Sequence, residues 1–548
     1  MSTTPAATLA VVDLGSNSFR LEIGRVEGDQ IYRLDTWRET LRFGAGLDAQ
    51  GRIKTSAMKA ALQCLARFRE RLAGLHPSAV RAVATNTFRV AKNAREFLPQ
   101  AEHALGFPID VIGGHEEARL IYLGVAHELP RSLEPRLVVD IGGGSTEFII
   151  GRGLEPERLE SLKIGCVGVT QRFFPEGRLT AEGFEGAETA ARVEIEPIAR
   201  EFGPGHWREA YASSGTAAAL AEILEQNGFS SGGITPAGLA RLKKRMLAAR
   251  HVGRLSLHAL KPERAPVLAG GLAIMAAAVA ELGIDRIDPV GGALRLGVLY
   301  DLLGRTIDAD VRGVTVARFV DRYSIDRAHA ARVAALAVVL FRRALPGANA
   351  ESVQLLRWAA TLHEIGMSVS HIGFHKHGAY ILQHADMPGF SSGEQSRLAL
   401  LVFGCRGGLA KVEAALDDSP MRVQLLALRL AVLFHHARAA IALPRSGKRW
   451  GIPGNLRTGD VFALIGRSRG ARDRAENSNE IGTDGDLQYD RSVAVAHAIG
   501  EPPDRALAHA PGQLLAGEQK RSDLAQRRLM ADDEHRFAPV GPARGSQD

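Results

Sequence analysis

One phrase is written twice in this chain. Val11-Val12-Asp13-Leu14-Gly15-Ser16-Asn17-Ser18 stands near its start, and Val138-Val139-Asp140-Ile141-Gly142-Gly143-Gly144-Ser145 returns further on. Each copy is an apolar run that ends on an aspartate, passes through a turn of small residues and resumes as an alternating strand, the pattern of a hairpin. After the first copy come the strand IYRLDTWRETLRF, a helical stretch over 54–74, the strand-turn VRAVATNTF, the helix REFLPQAEHALG, the strand IDVIGG and the amphipathic helix HEEARLIYLGVAHEL. After the second come SLKIGCVGVTQRFF, a helix near 180–202, the strand-turn AYASSGT and helices to about residue 304. Two α/β units that open alike predict a duplicated architecture with a cleft between the halves.

The turns themselves have a chemistry. A bend of Gly, Ser, Thr and Asn between strands exposes several backbone N–H groups on one side, and such concave arrays bind anions. Gly15, Ser16, Asn17 and Ser18 form one candidate array; Gly142, Gly143, Gly144, Ser145 and Thr146 form the other. An aspartate just before such a turn repels phosphate unless it holds a divalent cation, so Asp13 and Asp140 are candidate Mg²⁺ carboxylates. Two loops across a cleft can grip consecutive phosphates. They are not Walker loops, since no GxxxxGK[ST] occurs. Arg89, in TNTFRVAKN, is a candidate phosphate ligand because guanidinium matches phosphate oxygens in pairs.

From about 313 to 440 the periodicity is helical throughout and predicts a separate all-α domain. The stretch 445–548, rich in Gly, Arg, Asp and Ser, predicts a poorly ordered tail. The 548 residues carry a net charge of +7, which suits a polyanionic partner, while 6% aromatics give little basis for a nucleic-acid stacking platform. Cys64, Cys166 and Cys405 lie far apart, as in a reducing compartment. No signal peptide is evident, and the Gly- and Ala-rich segment 265–284, with Glu281, fits a buried helix better than a span. The expected location is the cytoplasm, free or peripheral at the inner membrane.

The segments VVDLGSNSFRL, AVATNTFRVAKN, GHEEARLIYLGV, VVDIGGGSTEF, ASSGT and GGALRLGVLYDLL, in that order, resemble the exopolyphosphatase / guanosine pentaphosphate phosphohydrolase (Ppx/GppA) family. The resemblance implies an α/β fold of two actin-like (ribonuclease H-like) domains, 9–125 and 126–305, then an all-α HD-like domain, 313–444. It assigns the catalytic base to Glu117, with Glu116 as the competitor, and gives Glu147 a role in holding the water or metal. Ser214, Gly215 and Thr216 correspond to a further phosphate-side loop, although relatives have Gly-Ala-Ser-Gly-Thr where this chain has Ala212-Ser213-Ser214-Gly215-Thr216. The helical domain carries His363-Glu364 in place of His-Asp, and Ala431 where a distal Asp is expected, so no metal chemistry is predicted there. HKHGAY and ADMPGFS tilt the reading towards inorganic polyphosphate, with guanosine pentaphosphate as the alternative substrate, Mg²⁺ as cofactor and a homodimer as the assembly. Arg264, His375, Lys376 and His377 are expected to line a polyphosphate channel. A sugar kinase would need an adenine pocket and a catalytic Asp, and the Glu-Glu helix speaks against it; a non-catalytic polyphosphate-binding regulator would bind without turnover.

Overall fold

The computed structural model describes residues 8–438, apart from 29 and 307–309, so the predicted tail at 445–548 lies outside the described residues. Among the described residues, ten strands form two five-stranded sheets. The first contains β1 (Thr8–Leu14), β2 (Phe19–Glu27), β3 (Gln30–Glu39), β4 (Val80–Ala84) and β5 (Ile109–Val111), in the order β3-β2-β1-β4-β5. The second contains β6 (Arg136–Ile141), β7 (Thr146–Arg152), β8 (Glu155–Leu162), β9 (Glu209–Ser213) and β10 (Asp288–Pro289), in the order β8-β7-β6-β9-β10. The order is the same position by position. In both halves the repeated phrase supplies the central strand, an antiparallel hairpin partner on one side and a parallel neighbour on the other. All six residues of β6 are buried, as a strand covered on both faces requires. These are the two actin-like halves.

Between the sheets lies a shared helical layer. Helix Gly114–Glu128 and helix Leu294–Thr306 pack Ile121, Tyr122, Val125, Val298 and Leu299 against Leu9, Val11 and Val83 of the first sheet and Val138 and Ile149 of the second. A Cβ at Gly297 would collide with the Leu120 carbonyl, and one at Gly124 with the Ala293 carbonyl, so these glycines let the two backbones touch. The predicted boundary at 125/126 therefore cuts a helix that runs on to Glu128. Leu294–Thr306, expected in the second unit, returns to pack on the first. Sequence periodicity shows that a helix has an apolar face but not which sheet covers it. Helix Ala265–Glu281 is packed into the second core, and among the described residues no helix is long and apolar enough to cross a membrane.

Helices Val311–Arg322, Arg327–Ala344, Ala350–Thr361, Phe374–His384, Ser392–Gly404 and Ser419–Phe434 enclose a core that includes Phe341, Leu356, Trp358 and Leu425. Charged groups buried around Leu294–Thr306 tie that helix to the first half. Asp301 accepts from Arg119 (2.5 Å), Arg81 (2.6 Å) and Arg305 (2.9 Å). Burial alone would raise its pKa, but Arg119, Arg81 and Arg305 together hold it well below the usual carboxylate range. Asp301→Ala leaves buried guanidinium charge uncompensated and should destabilise the chain by about 3–5 kcal/mol in denaturant unfolding. A change under 1 kcal/mol (~0.5, as at a surface site) would show that the network is dispensable.

Candidate active site

The two repeated turns face one another. A Cβ built on Gly143 would stand 3.1 Å from Asn17 N and 3.1 Å from Ser16 Cβ, and one on Gly144 would meet Asn86 and the Ser16 hydroxyl. The carbonyls of Ser16 and Asn17 accept from Gly44 N (2.7 Å) and Arg42 N (2.8 Å). Those of Gly142 and Gly143 accept from Cys166 N and Val167 N, both at 3.0 Å. In a trans peptide the N–H points opposite to the C=O, so fixing the carbonyls this way turns the amides of residues 17, 18, 143 and 144 away from these partners and leaves them available. The predicted pair of amide-rich bends is thus assembled.

Strand register then aims the carboxylates. Asp13 lies directly opposite Arg20 in the first hairpin, and Asp140 lies directly opposite Glu147 in the second. Directly opposed side chains share a face, and like charges so placed destabilise a sheet. The second hairpin therefore sets two like charges opposite one another where the first sets opposite charges, and the salt-bridge partner of Asp13 is Arg295 at 3.8 Å. Glu147 is buried, and its pKa is pushed well above the ordinary 4.5 by burial and by Glu117 and Asp140. Its carboxylate accepts from Ser161 Oγ at 2.9 Å. Asp140 is raised to about 7 by burial, opposed by the neighbouring Ser213 hydroxyl, with Glu117 and Asp13 adding to the shift. Burial also raises Asp13, against the pull of Arg295 and Arg20.

Glu117 joins this group from the first turn of helix Gly114–Glu128. Its Oε2 accepts from Arg89 NH1 at 2.7 Å, while Arg89 NH1 also donates to the Ile112 carbonyl at 3.0 Å. Burial raises the Glu117 pKa, Arg89 opposes that, and Asp13 adds to it. Its neighbour Glu116 is wholly engaged, accepting from Arg119 Nε (2.7 Å), Arg119 NH2 (2.9 Å) and Gly389 N (2.8 Å). Geometry thus separates the two candidate bases: only Glu117 shares its electrostatic surroundings with the aspartates of the turns.

Three buried carboxylates, Glu117, Asp140 and Glu147, and the partly exposed Asp13 form an oxygen donor set, and the buried Asn17 Oδ1 has no protein partner. The set fits Mg²⁺ held by one or two carboxylates and its own waters. Asp13, Asp140 and Glu147 do not draw within 4.8 Å of one another as a ligand triad; among the described residues only His329, His363 and Glu364 do.

Several predicted ligands are placed differently. Thr146 is fully buried and its hydroxyl donates to the Ile164 carbonyl at 2.6 Å, so it serves the fold. Thr216 turns inward onto Cys166 Sγ at 3.7 Å. Ser214 Oγ accepts from Thr216 N (3.1 Å) and Ala217 N (3.2 Å), capping its own helix from a left-handed backbone at φ 92°. Ser213, which was not predicted, lies directly beside Asp140 in the paired strands, its hydroxyl donating to the Gly292 carbonyl at 2.9 Å. Gly215 does border the cleft cations, since a Cβ there would collide with the Arg264 guanidinium.

Arginines complete the site. Arg38 has buried Nε and NH2 groups without a partner. It shares its surroundings with Arg264 and with Arg20, whose pKa falls to about 10 through burial and through Arg295, Arg38 and Arg264. Such crowding of cations, with Asp13 near Arg20 and Glu263 near Arg264 as the opposing carboxylates, suits a polyanion. Only Arg264 of this group was predicted; Arg20 sits two residues past Ser18 inside the repeated phrase, and that was its one sequence signal. His375, Lys376 and His377 lie on helix Phe374–His384, where His375 is lowered to about 4 by burial and by Lys411, Lys376, Arg406 and Arg429. Arg264 stands with Arg38 and Arg20, and His375 stands with Lys376, Arg406, Lys411 and Arg429.

The helical domain also differs from expectation. His329 joins His363 and Glu364, and His363 Nδ1 is 2.7 Å from the Ala360 carbonyl. Arg438 NH2 donates to both Glu364 oxygens at 3.0 and 3.1 Å, so a guanidinium already supplies positive charge to this cluster.

The chain matches the Ppx/GppA phosphatase family over residues 23–306 and that family's domain III over 311–450. It is 39% identical over 442 residues to proteins of two Vibrio cholerae serotype O1 strains named guanosine-5'-triphosphate,3'-diphosphate pyrophosphatase, covering 79% of this chain and 88% of theirs. Among solved structures it resembles an exopolyphosphatase-like protein, at 27% identity and a TM-score of 0.50, over 56% of this chain and 100% of that one. It also resembles an exopolyphosphatase from Cytophaga hutchinsonii, at 25% identity and a TM-score of 0.49, over 54% and 98%. On the two matching family models and the 39% identity to relatives over 79% of its length, the chain belongs to the Ppx/GppA phosphatase family.

Proposed function

We propose that this phosphatase removes the terminal phosphoryl group of guanosine pentaphosphate by attack of a water that Glu117 deprotonates. The observation that carries the reaction type is the placement of Glu117, a buried carboxylate with raised pKa held by Arg89 beside two facing amide turns. A raised pKa makes a stronger base, and Arg89 opposes the rise by favouring the ionised form that accepts a proton. The amides of the turns would hold the oxygens of the phosphoryl group, and Arg20, Arg38 and Arg264 would neutralise the departing polyanion. One or two of Asp13, Asp140 and Glu147 would hold Mg²⁺, which would supply charge neutralisation.

The choice of nucleotide follows the Vibrio cholerae relatives, whose name and 39% identity favour it over the polyphosphate expected from HKHGAY and ADMPGFS. One observation keeps inorganic polyphosphate as the second reading: Lys376, Arg406, Lys411 and Arg429 crowd around His375 on the helical domain. The three cysteines are free and buried, which suits the reducing cytoplasm. Orthophosphate release from both substrates by the full chain tests the reading. A kcat/KM at least about tenfold higher for the nucleotide supports it. The reverse order moves the chain to polyphosphate, and no release from either removes the hydrolase reading.

A further inference from the structure

Three consecutive residues at the start of helix Gly114–Glu128 make three different attachments. His115 Nδ1 is 2.7 Å from Asp386 Oδ2 of the helical domain. Glu116 Oε2 accepts from Gly389 N of the same domain at 2.8 Å. Glu117 alone turns to Arg89 and the cleft. We propose that the helical domain, through its 386–389 loop, sets the position of the general base, with Glu116 and His115 as positioning residues for Glu117. This deepens the proposed function and rests on Glu117 being the base.

The loop is built to hold. Gly389 is gripped on both sides, its N–H by Glu116 and its carbonyl by Arg305 NH2 at 2.8 Å. The Pro388 carbonyl accepts from Thr315 Oγ1 at 2.7 Å. Ser391, two residues on, caps helix Ser392–Gly404 in a reciprocal box with Glu394, which Arg312 also binds. Gly389 has φ 89°, and a Cβ there would stand 2.9 Å from Arg312 Cγ and 3.0 Å from Arg312 N. The other side is equally fixed. Arg119 fastens Glu116 to Asp301, which also binds Arg81 and Arg305, so the first turn, the Leu294–Thr306 helix and the loop share one buried network.

Helix geometry makes this attachment matter. Successive side chains point about 100° apart, so tethering residues 115 and 116 fixes the direction of residue 117. A carboxylate about 5–6 Å from the helix axis moves by roughly 1 Å if the turn rotates by ~10°. A misplacement of about 1 Å can cost a factor of the order of 10² in rate. The network therefore acts on the chemical step, not on the grip of the substrate.

The test is Glu116→Ala, measured in the full chain with native Glu117 and again with Glu117→Gln. With Glu117 present, kcat should fall at least about tenfold, with KM changed less than about twofold. With Glu117→Gln, the same change should lower the residual rate by less than about twofold, because there is no longer a base to misplace. Equal losses in both backgrounds, or an unchanged kcat, would overturn the proposal. Full activity of Glu117→Gln alone would instead remove the base reading, and this proposal with it. If Glu116→Ala does not yield folded protein by thermal unfolding, Asp386→Asn decides through the same two-background comparison. Its site is exposed, and the expected loss is about threefold with Glu117 and none without it.

Discussion

Glu117→Gln should lower kcat by about 10²-fold or more while leaving KM within a few-fold of its native value. The amide keeps the size of the side chain, and its oxygen can still accept from Arg89, so the helix turn and the loops have no reason to move. Only the proton acceptor is lost. A second readout separates this from damage to the fold. Glu117 is buried among Asp13, Asp140 and Glu147, all with raised pKa values. Making it neutral removes a like charge from that group, so the thermal midpoint should hold or rise. The pH dependence agrees in sign: a base with a raised pKa places the acid limb of kcat/KM above the ordinary 4.5 of a glutamate. Loss of activity together with a lowered midpoint would point to a structural role. An acid limb at the ordinary value would contradict the burial argument.

Removing divalent cations should be equally severe, lowering turnover by about 10²-fold or more, because the carboxylate group and a phosphate chain cannot otherwise share the cleft. The proton balance gives this prediction a specific form. In the absence of cation, Asp140 has a folded pKa of about 7 against an ordinary 3.8, caused first by burial. Between these values the folded chain binds more protons than the unfolded one, so this group's contribution to stability is present below about 4 and is lost as pH rises to about 7. A cation reverses the preference by favouring the ionised form. Mg²⁺ should therefore bind more tightly as pH rises through about 7 and release protons on binding, measurable by titration calorimetry in buffers of different ionisation enthalpy. The thermal midpoint gained on adding Mg²⁺ should be larger at pH 8 than at pH 6. Binding that is independent of pH, with no proton release, would place the cation away from Asp140.

The scaffold was largely legible because its determinants are local. The twofold Val-Val-Asp-x-Gly phrase encodes a strand, a tight turn and a return strand, and a parallel neighbour follows each time through a helix of clear periodicity. What a hydroxyl or guanidinium does inside that scaffold depends on register and on partners hundreds of residues away. Thr146 and Thr216 look like phosphate donors in sequence, yet alternation and helix phase turn both inward. Ser213 stands beside Asp140 because β9 lies beside β6. Arg38 sits in the outermost strand and Arg295 beyond the second sheet, so only the folded sheets bring them near the first turn. Glu116 and Glu117 are indistinguishable by type and spacing; the approach of Gly389 from the helical domain tells them apart. His329, in a run of alanines, gives no sign that it will meet His363 and Glu364.

The most direct test is a crystal structure of the Glu117→Gln chain with Mg²⁺ and guanosine pentaphosphate. The account predicts that the terminal phosphate lies between the turns 15–18 and 142–146, accepting from their amides, with a water within about 3.2 Å of the residue 117 amide and in line with the scissile bond. A phosphate chain held away from these turns, with residue 117 out of reach of any such water, would contradict it.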